Sequence, residues 1–283
     1  MSSDDSRMRG LLIDGQMDKW HNMSLLSGAI TDYLEETGLF VFDHVSTPPR
    51  GEDMAGFSPD FEPYDLVVVN YDGDEWPDAA RAGLEQFVSQ GGGLVAVHMA
   101  INAFPEWPAW NEMMGIGGWN GRDEKSGPIV YWADGEVQYD HGPGEAFHPP
   151  KHDFPVTIRN DAHPVTNGLP GTWLHAHDEL YSCMRGSARN MQLLATGYAD
   201  QSMKDASDRH EPVMTALSYG KGRIFHTTLG HVGKEETELP LSVRCAGFIT
   251  VLQRGAEWAA IGEVTQTVPE GLPGPDSTSV RPR

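Results

Sequence analysis

The chain reads as an α/β protein built on a doubly wound, mostly parallel sheet, and three observations predict it. Leu66-Val67-Val68-Val69 is a short β-branched run without polar alternation, the pattern of a strand covered on both faces. Between Leu11 and Val97 the patterns run strand, helix, strand, strand, helix, strand, as a doubly wound sheet requires. The 283 residues, 39% hydrophobic, supply the core of one large domain.

Each element has its own signal. Leu11–Asp14 is a short apolar strand that runs into the polar loop Gly15–His21. Leu25, Leu26, Ala29, Ile30, Tyr33 and Leu34 recur at helical spacing, and Gly38 closes that helix. Leu39–Val45 and Tyr64–Asn70 are the next strands, and Pro77–Gln90 the next helix, stopped by Gly91-Gly92-Gly93. Leu94–Val97 is again a buried strand. Periodicity weakens from Phe104 to His152, as in a long insertion beside a site. Phe154–Ile158, Met191–Ala195, Val213–Ser218 and Arg223–Thr227 read as further strands, and Leu239–Trp258 as a closing helix. The expected layout is a disordered N-terminal tail at 1–8, one domain at 9–260 with the insertion at 104–152, and an extended or disordered tail at 261–283.

Composition narrows the function. Lys and Arg number 20 against 41 Asp and Glu, a net charge of −21 with no basic cluster, so nucleic acid is not an expected partner. Cys183 and Cys245, the two cysteines, form no metal-type spacing, and a disulfide scaffold is excluded. There is no signal peptide and no apolar run of membrane-spanning length, so the expected location is cytoplasmic, away from membranes.

In a doubly wound sheet, ligands bind beyond the carboxyl ends of the strands. Three polar segments fall there: Asp14–His21, Asn70–Asp74 and His98–Asn102. His98 stands at a strand-to-helix elbow, where imidazole serves as a base or metal ligand. His175-Ala176-His177-Asp178-Glu179-Leu180-Tyr181 gathers two imidazoles, two carboxylates and a phenol. Strand alternation would set His175 and His177 on one side, facing one metal ion. His231, after Gly230, ends another strand and comes within reach of the same edge as His98. No Gly-x-Ser-x-Gly elbow and no HExxH motif occurs.

Several stretches in order carry a family resemblance. They are Trp20-His21, Tyr64-Asp-Leu-Val-Val-Val-Asn70, Gly91-Gly-Gly-Leu-Val-Ala-Val-His98 and Trp110 with Gly117-Gly118-Trp119. His163-Pro-Val-Thr-Asn-Gly-Leu-Pro170, Asp178-Glu-Leu-Tyr181 and Gly220-Lys-Gly-Arg-Ile-Phe-His-Thr-Thr-Leu-Gly-His231 complete them. In these the chain resembles the ThuA-like family, named for trehalose utilization, of the class I glutamine amidotransferase-like superfamily. The resemblance implies a flavodoxin-like sheet with helices on both faces. Amidotransferases of that superfamily carry a cysteine at the elbow where His98 stands here, so glutamine hydrolysis through a thioester is not expected.

The resemblance also implies a role in the catabolism of trehalose or keto-sugars, with a divalent metal such as zinc at a histidine site. The expected enzyme acts on a sugar or 3-keto-glycoside, as an isomerase or hydrolase. His98 and His231 would be bases or metal ligands, with His175 and His177 as further ligands. Asp178 or Glu179 would be the acid–base partner, and Tyr181 a hydrogen-bond donor. Gln16, His21, Asn70, Trp107, Trp110, Trp119 and His152 are the expected substrate contacts, the indoles as flat faces for a sugar ring. A homo-oligomer is compatible with this reading. The competing expectation is a sugar-binding or regulatory protein that has lost the amidotransferase triad.

Overall fold

A computed structural model describes residues 6–282. Of the tail expected at 1–8, positions 1–5 lie outside the described residues, and Met8 already opens the first strand. Strands β1 (Met8–Asp14), β2 (Phe40–Ser46), β3 (Leu66–Val69) and β4 (Gly93–Val97) pair in parallel in the order β2-β1-β3-β4. Parallel neighbours need long crossovers, and α1 (Met23–Glu35) and α2 (Asp78–Gln90) supply two of them.

After β4 come α3 (Pro108–Met114) and a hairpin of β5 (Ile129–Ala133) and β6 (Glu136–Asp140). Strands β7 (His152–Ile158), β8 (Thr172–Asp178), β9 (Met191–Tyr198), β10 (His210–Tyr219) and β11 (Gly222–Thr227) follow. β11 joins the sheet parallel to β4, and the order then continues β10-β9-β7-β8 with every pair antiparallel. The sheet is therefore parallel at one end only, which corrects the expectation of a mostly parallel sheet. Connection length explains the change. β10 and β11 are joined across the Tyr219–Gly222 turn, too short for a crossover. Gly220 makes that turn at φ 58°, and a Cβ there would lie 2.5 Å from the Ser89 carbonyl oxygen.

The unalternated apolar strands have their reason in two separate cores. Leu12, Leu66, Val68 and Val95 pack on one face with Leu26 and Ile30 of α1. Leu11, Ile13, Val67 and Val69 pack on the other with Leu84 and Val88 of α2 and Trp110 of α3. The expected closing helix is two helices, α4 (Leu241–Arg244) and α5 (Ala246–Ile261). Cys245 breaks it by turning extended, φ −60° and ψ 127°, and bridging to Val280. Phe248, Leu252 and Ala256 of α5 complete the first core. Beyond α5 the chain runs back over the body. Gly274 O accepts from Leu174 N–H at 2.8 Å, Ser279 O accepts from Ala246 N–H at 2.8 Å, and Arg281 pairs with Glu36 at 2.7 Å.

One buried acid in this framework gives a pH test. Glu211 of β10 is fully buried, with Cys183 N–H donating to its Oε2 at 3.3 Å, and burial pushes its carboxyl up to about 7. The unfolded chain ionises from 4.5 while the folded chain holds its proton, so stability falls as pH rises between the two values. Glu211→Gln is expected to remove that fall. Its advantage over the parent should widen by about 2 kcal/mol between pH 5 and pH 8, read by urea denaturation at both.

Candidate metal and acid-base site

Four segments meet beyond the carboxyl ends of β1, β4, β11 and β8. His98 follows β4 and opens a 3₁₀ turn, His98–Asn102, at φ 49°. A left-handed backbone at a residue other than glycine carries strain, and here it lifts a fully buried imidazole off the sheet edge. His231 follows β11 through Gly230, which runs at φ 108°, and whose Cβ would stand 2.7 Å from the Phe248 ring. His21 lies in the loop after β1, and backbone pairing brings that loop to His231. Asn22 N–H donates to Val232 O at 2.9 Å and Lys234 N–H to Trp20 O at 2.8 Å. The Asn22 side chain then caps α1 through Leu25 N–H. Glu179 follows β8.

One nitrogen or oxygen from each of His21, His98, Glu179 and His231 falls within 4.8 Å of the others. The tautomers follow from what faces each ring. His98 Nδ1 lies 2.5 Å from Thr228 O, which can only accept, so Nδ1 carries the proton and Nε2 presents a lone pair. His21 Nδ1 lies 2.8 Å from Asp18 Oδ1 and donates to it, so in the neutral ring its Nε2 also presents a lone pair. Those two Nε2 atoms are 3.2 Å apart. Two lone pairs at that separation repel unless a positive charge sits between them. His231 Nδ1 is buried and 3.1 Å from Glu179 Oε2, yet makes no well-formed hydrogen bond. Three imidazoles and a carboxylate, two of the rings oriented by a carboxylate or carbonyl behind them, form a donor set that fits a divalent cation such as zinc.

The electrostatics agree with that donor set. Burial, with the His21 and His231 rings beside it, pushes the His98 imidazole down to about 3 and keeps the ring neutral, with its Nε2 accepting from the Tyr181 hydroxyl at 2.8 Å. Burial would raise the Glu179 carboxyl, but the His231, His98 and His148 rings outweigh it and hold it below its ordinary range.

Behind the four lies a second, wholly buried group. Asp178 accepts from Gly230 N–H at 2.7 Å, His231 N–H at 3.1 Å and Glu179 N–H at 2.8 Å, and contacts His175 Nε2 at 2.8 Å. Burial acts against its charge, yet the His175 contact and the Gly230 N–H prevail and hold the carboxyl well below the usual range. Burial likewise opposes charge on His175, but Cys245 and Asp178 beside it hold the imidazole protonated. Asp178 thus ties the backbones of two ligand residues together.

A cavity of about 1130 Å³ opens in front of the cluster. His21, Glu179, Tyr181 and His231 line it, with Trp119 as an inner aromatic face and Trp20 exposed at the mouth. Asp72, from the loop after β3, is in its wall and takes a hydrogen bond from Asn120 Nδ2 at 2.9 Å. Burial and the charge of Asp18 push the Asp72 carboxyl up to about 6. His148 stands over the opening, with Nε2 3.6 Å from Glu179 Oε2.

Of the residues singled out from sequence, the structure brings His231, Glu179, Tyr181, His21 and Trp119 to this cavity and His98 into the cluster behind its wall. The others lie elsewhere. Asp178 is sealed behind Glu179, because successive residues of an extended chain face opposite ways. His175 sits with it on Asp178. His177 is exposed at φ 38°, its N–H on Asp153, so the two histidines do not share one ion. Trp107 and Trp110 are buried in the second core, stacked at 5.8 Å, with no face left for a ligand. Gln16 is spent holding loops, donating to Pro48 O at 2.7 Å and accepting from Asp74 N–H at 2.8 Å. Asn70 donates to Ser27 Oγ and Met23 O beneath α1. His152 Nδ1 turns to Pro150 O, off the cavity. Asp18, Asp72 and Asn120 were not singled out, although Asp18 and Asp72 fall in two of the loops expected to build the site. His148 carried only a histidine in a loop as its signal.

Comparison with known proteins identifies the family. The family model described as trehalose utilisation, ThuA, matches residues 12–259. A ThuA-like protein from Parabacteroides merdae has 44% identity and a TM-score of 0.93, covering 97% of this chain and 98% of its own. A second ThuA-like protein, from Bacteroides uniformis, shares the fold at 17% identity and TM-score 0.60, over 94% and 96% of the two chains. No curated protein matches. No helix among the described residues is long and apolar enough to cross a membrane. With its family match spanning nearly the whole domain, the chain belongs to the ThuA family.

Proposed function

We propose that the protein is an enzyme of carbohydrate catabolism that acts on a sugar or 3-keto-glycoside at a divalent-metal centre, without glutaminase activity. The observation that carries this reading is the meeting of His21, His98, His231 and Glu179, with lone pairs of two fixed imidazoles turned toward one point. Those four residues would hold the cation, which in such a site polarises a carbonyl oxygen or acidifies bound water. Around it the chain supplies the rest. Trp119 offers a ring face to a sugar, Tyr181 a hydroxyl donor, and Asp72 a carboxyl suited to carrying a proton near neutral pH. The elbow residue is His98, not a cysteine, which removes the thioester route. The parallel order β2-β1-β3-β4-β11 supports the flavodoxin-like reading of this half of the sheet, with residues 104–152 inserted beside the site.

The test is elemental analysis of the purified protein, followed by turnover of 3-keto-disaccharides by the parent and by His98→Ala. About one equivalent of divalent metal and turnover lost in the variant are expected. Equal behaviour of the two proteins on every keto-sugar offered would overturn the catalytic reading in favour of a sugar-binding or regulatory protein.

A further inference from the structure

We propose that Tyr181 is a hydrogen-bond switch for this centre: its hydroxyl occupies the lone pair of His98 Nε2 in the metal-free protein and turns to a ligand oxygen when a divalent cation takes that lone pair. The inference rests on reading the histidine cluster as a metal centre. Tyr181 Oη lies 2.8 Å from His98 Nε2. Because His98 Nδ1 is committed to Thr228 O, Nε2 has one lone pair, and the Tyr181 O–H and a cation compete for it. A neutral His21 ring that donates from Nδ1 to Asp18 has no proton at Nε2 to supply.

The phenol ring is not free to leave. It is 1% exposed and held between His98 and Trp119, each with its ring centre 4.6 Å away. What can move is the O–H bond, by rotation about the C–O bond. Its other acceptor is Met99 Sδ at 3.5 Å, a weak one. A buried hydroxyl that loses its strong partner is costly to leave unpaired, so an oxygen arriving from the cavity becomes the favoured acceptor. The hydroxyl would thereby oppose metal loading and reward an oxygen ligand once the metal is in place.

Cobalt(II) serves as the probe, titrated into parent and Tyr181→Phe by calorimetry, followed by acetohydroxamate titrated into the loaded proteins. The variant is expected to bind Co²⁺ roughly 3- to 10-fold more tightly and acetohydroxamate roughly 10-fold more weakly, the range one hydrogen bond allows. Equal Co²⁺ affinity would overturn the competition, and weaker affinity would show the phenol to be a ligand itself, which also overturns it. Unchanged acetohydroxamate binding would overturn the release to a ligand oxygen. A parent protein that binds no Co²⁺ would sink the metal reading, a separate outcome. Should Tyr181→Phe not fold, 3-fluorotyrosine at position 181 keeps the phenol. Its ¹⁹F resonance should shift on adding Zn²⁺ and again on adding acetohydroxamate, and a resonance unmoved by either would refute the switch.

Discussion

Replacing His98 with alanine is expected to weaken divalent-cation affinity on the order of 100-fold or more, while Asp18→Asn should cost about 10- to 100-fold. The ordering follows from their places. His98 offers its Nε2 lone pair directly, from a ring held by Thr228 O, 3.2 Å from its counterpart on His21. Asp18 acts one bond further out: it accepts from His21 Nδ1, and so fixes which His21 nitrogen faces the cluster. An asparagine keeps the shape of that contact but loses the charge, so the ring is held less firmly. Calorimetric titration with Zn²⁺ reads both variants. Equal losses would mean that Asp18 enters the coordination sphere, and no loss in His98→Ala would remove His98 from it.

Asp178→Asn is expected to lower global stability by about 3–5 kcal/mol, although residue 178 does not touch the cavity. Its carboxylate accepts from three backbone N–H groups, those of Glu179, Gly230 and His231, and faces a protonated His175. An asparagine amide keeps one acceptor oxygen and turns an NH₂ toward a donor. It leaves the imidazolium of His175 buried without its counter-charge. The loss should appear as a lower urea midpoint. Cation affinity should fall as well, since Glu179 and His231 are held in register through this one side chain. An unchanged midpoint would mean that the buried group carries little net energy.

The two-sided burial of β3 and β4 could be read directly, because a run such as Leu66-Val67-Val68-Val69 records locally that both faces are covered. The antiparallel half could not be read in this way. β8 carries His175, Asp178 and, just after it, Glu179, and its polar residues looked like a ligand cluster. They are polar because the strand's carboxyl end feeds the site and the ion group behind it. Trp107 and Trp110 illustrate the converse. An indole in an aperiodic stretch reads as a sugar platform or as core with the same letters, and these two are core because they stack on each other, with Phe104 edge-on to both and Trp76 tilted against Trp107.

By itself the sequence determined the α/β class, the parallel strands with their helices, and the positions of His98 and His231 at strand ends. Periodicity and strand termini are local properties, written within a few residues. Which nitrogen of His98 faces its neighbour, that His21 joins the cluster while His175 does not, and that Glu179 faces the cavity with Asp178 behind it were decided by tertiary structure alone. Each depends on a partner from a distant segment: Thr228 for His98, Val232 and Gly233 for the His21 loop, Gly230 for Asp178. A hydrogen bond between such segments exists only once the sheet has brought their ends to one rim.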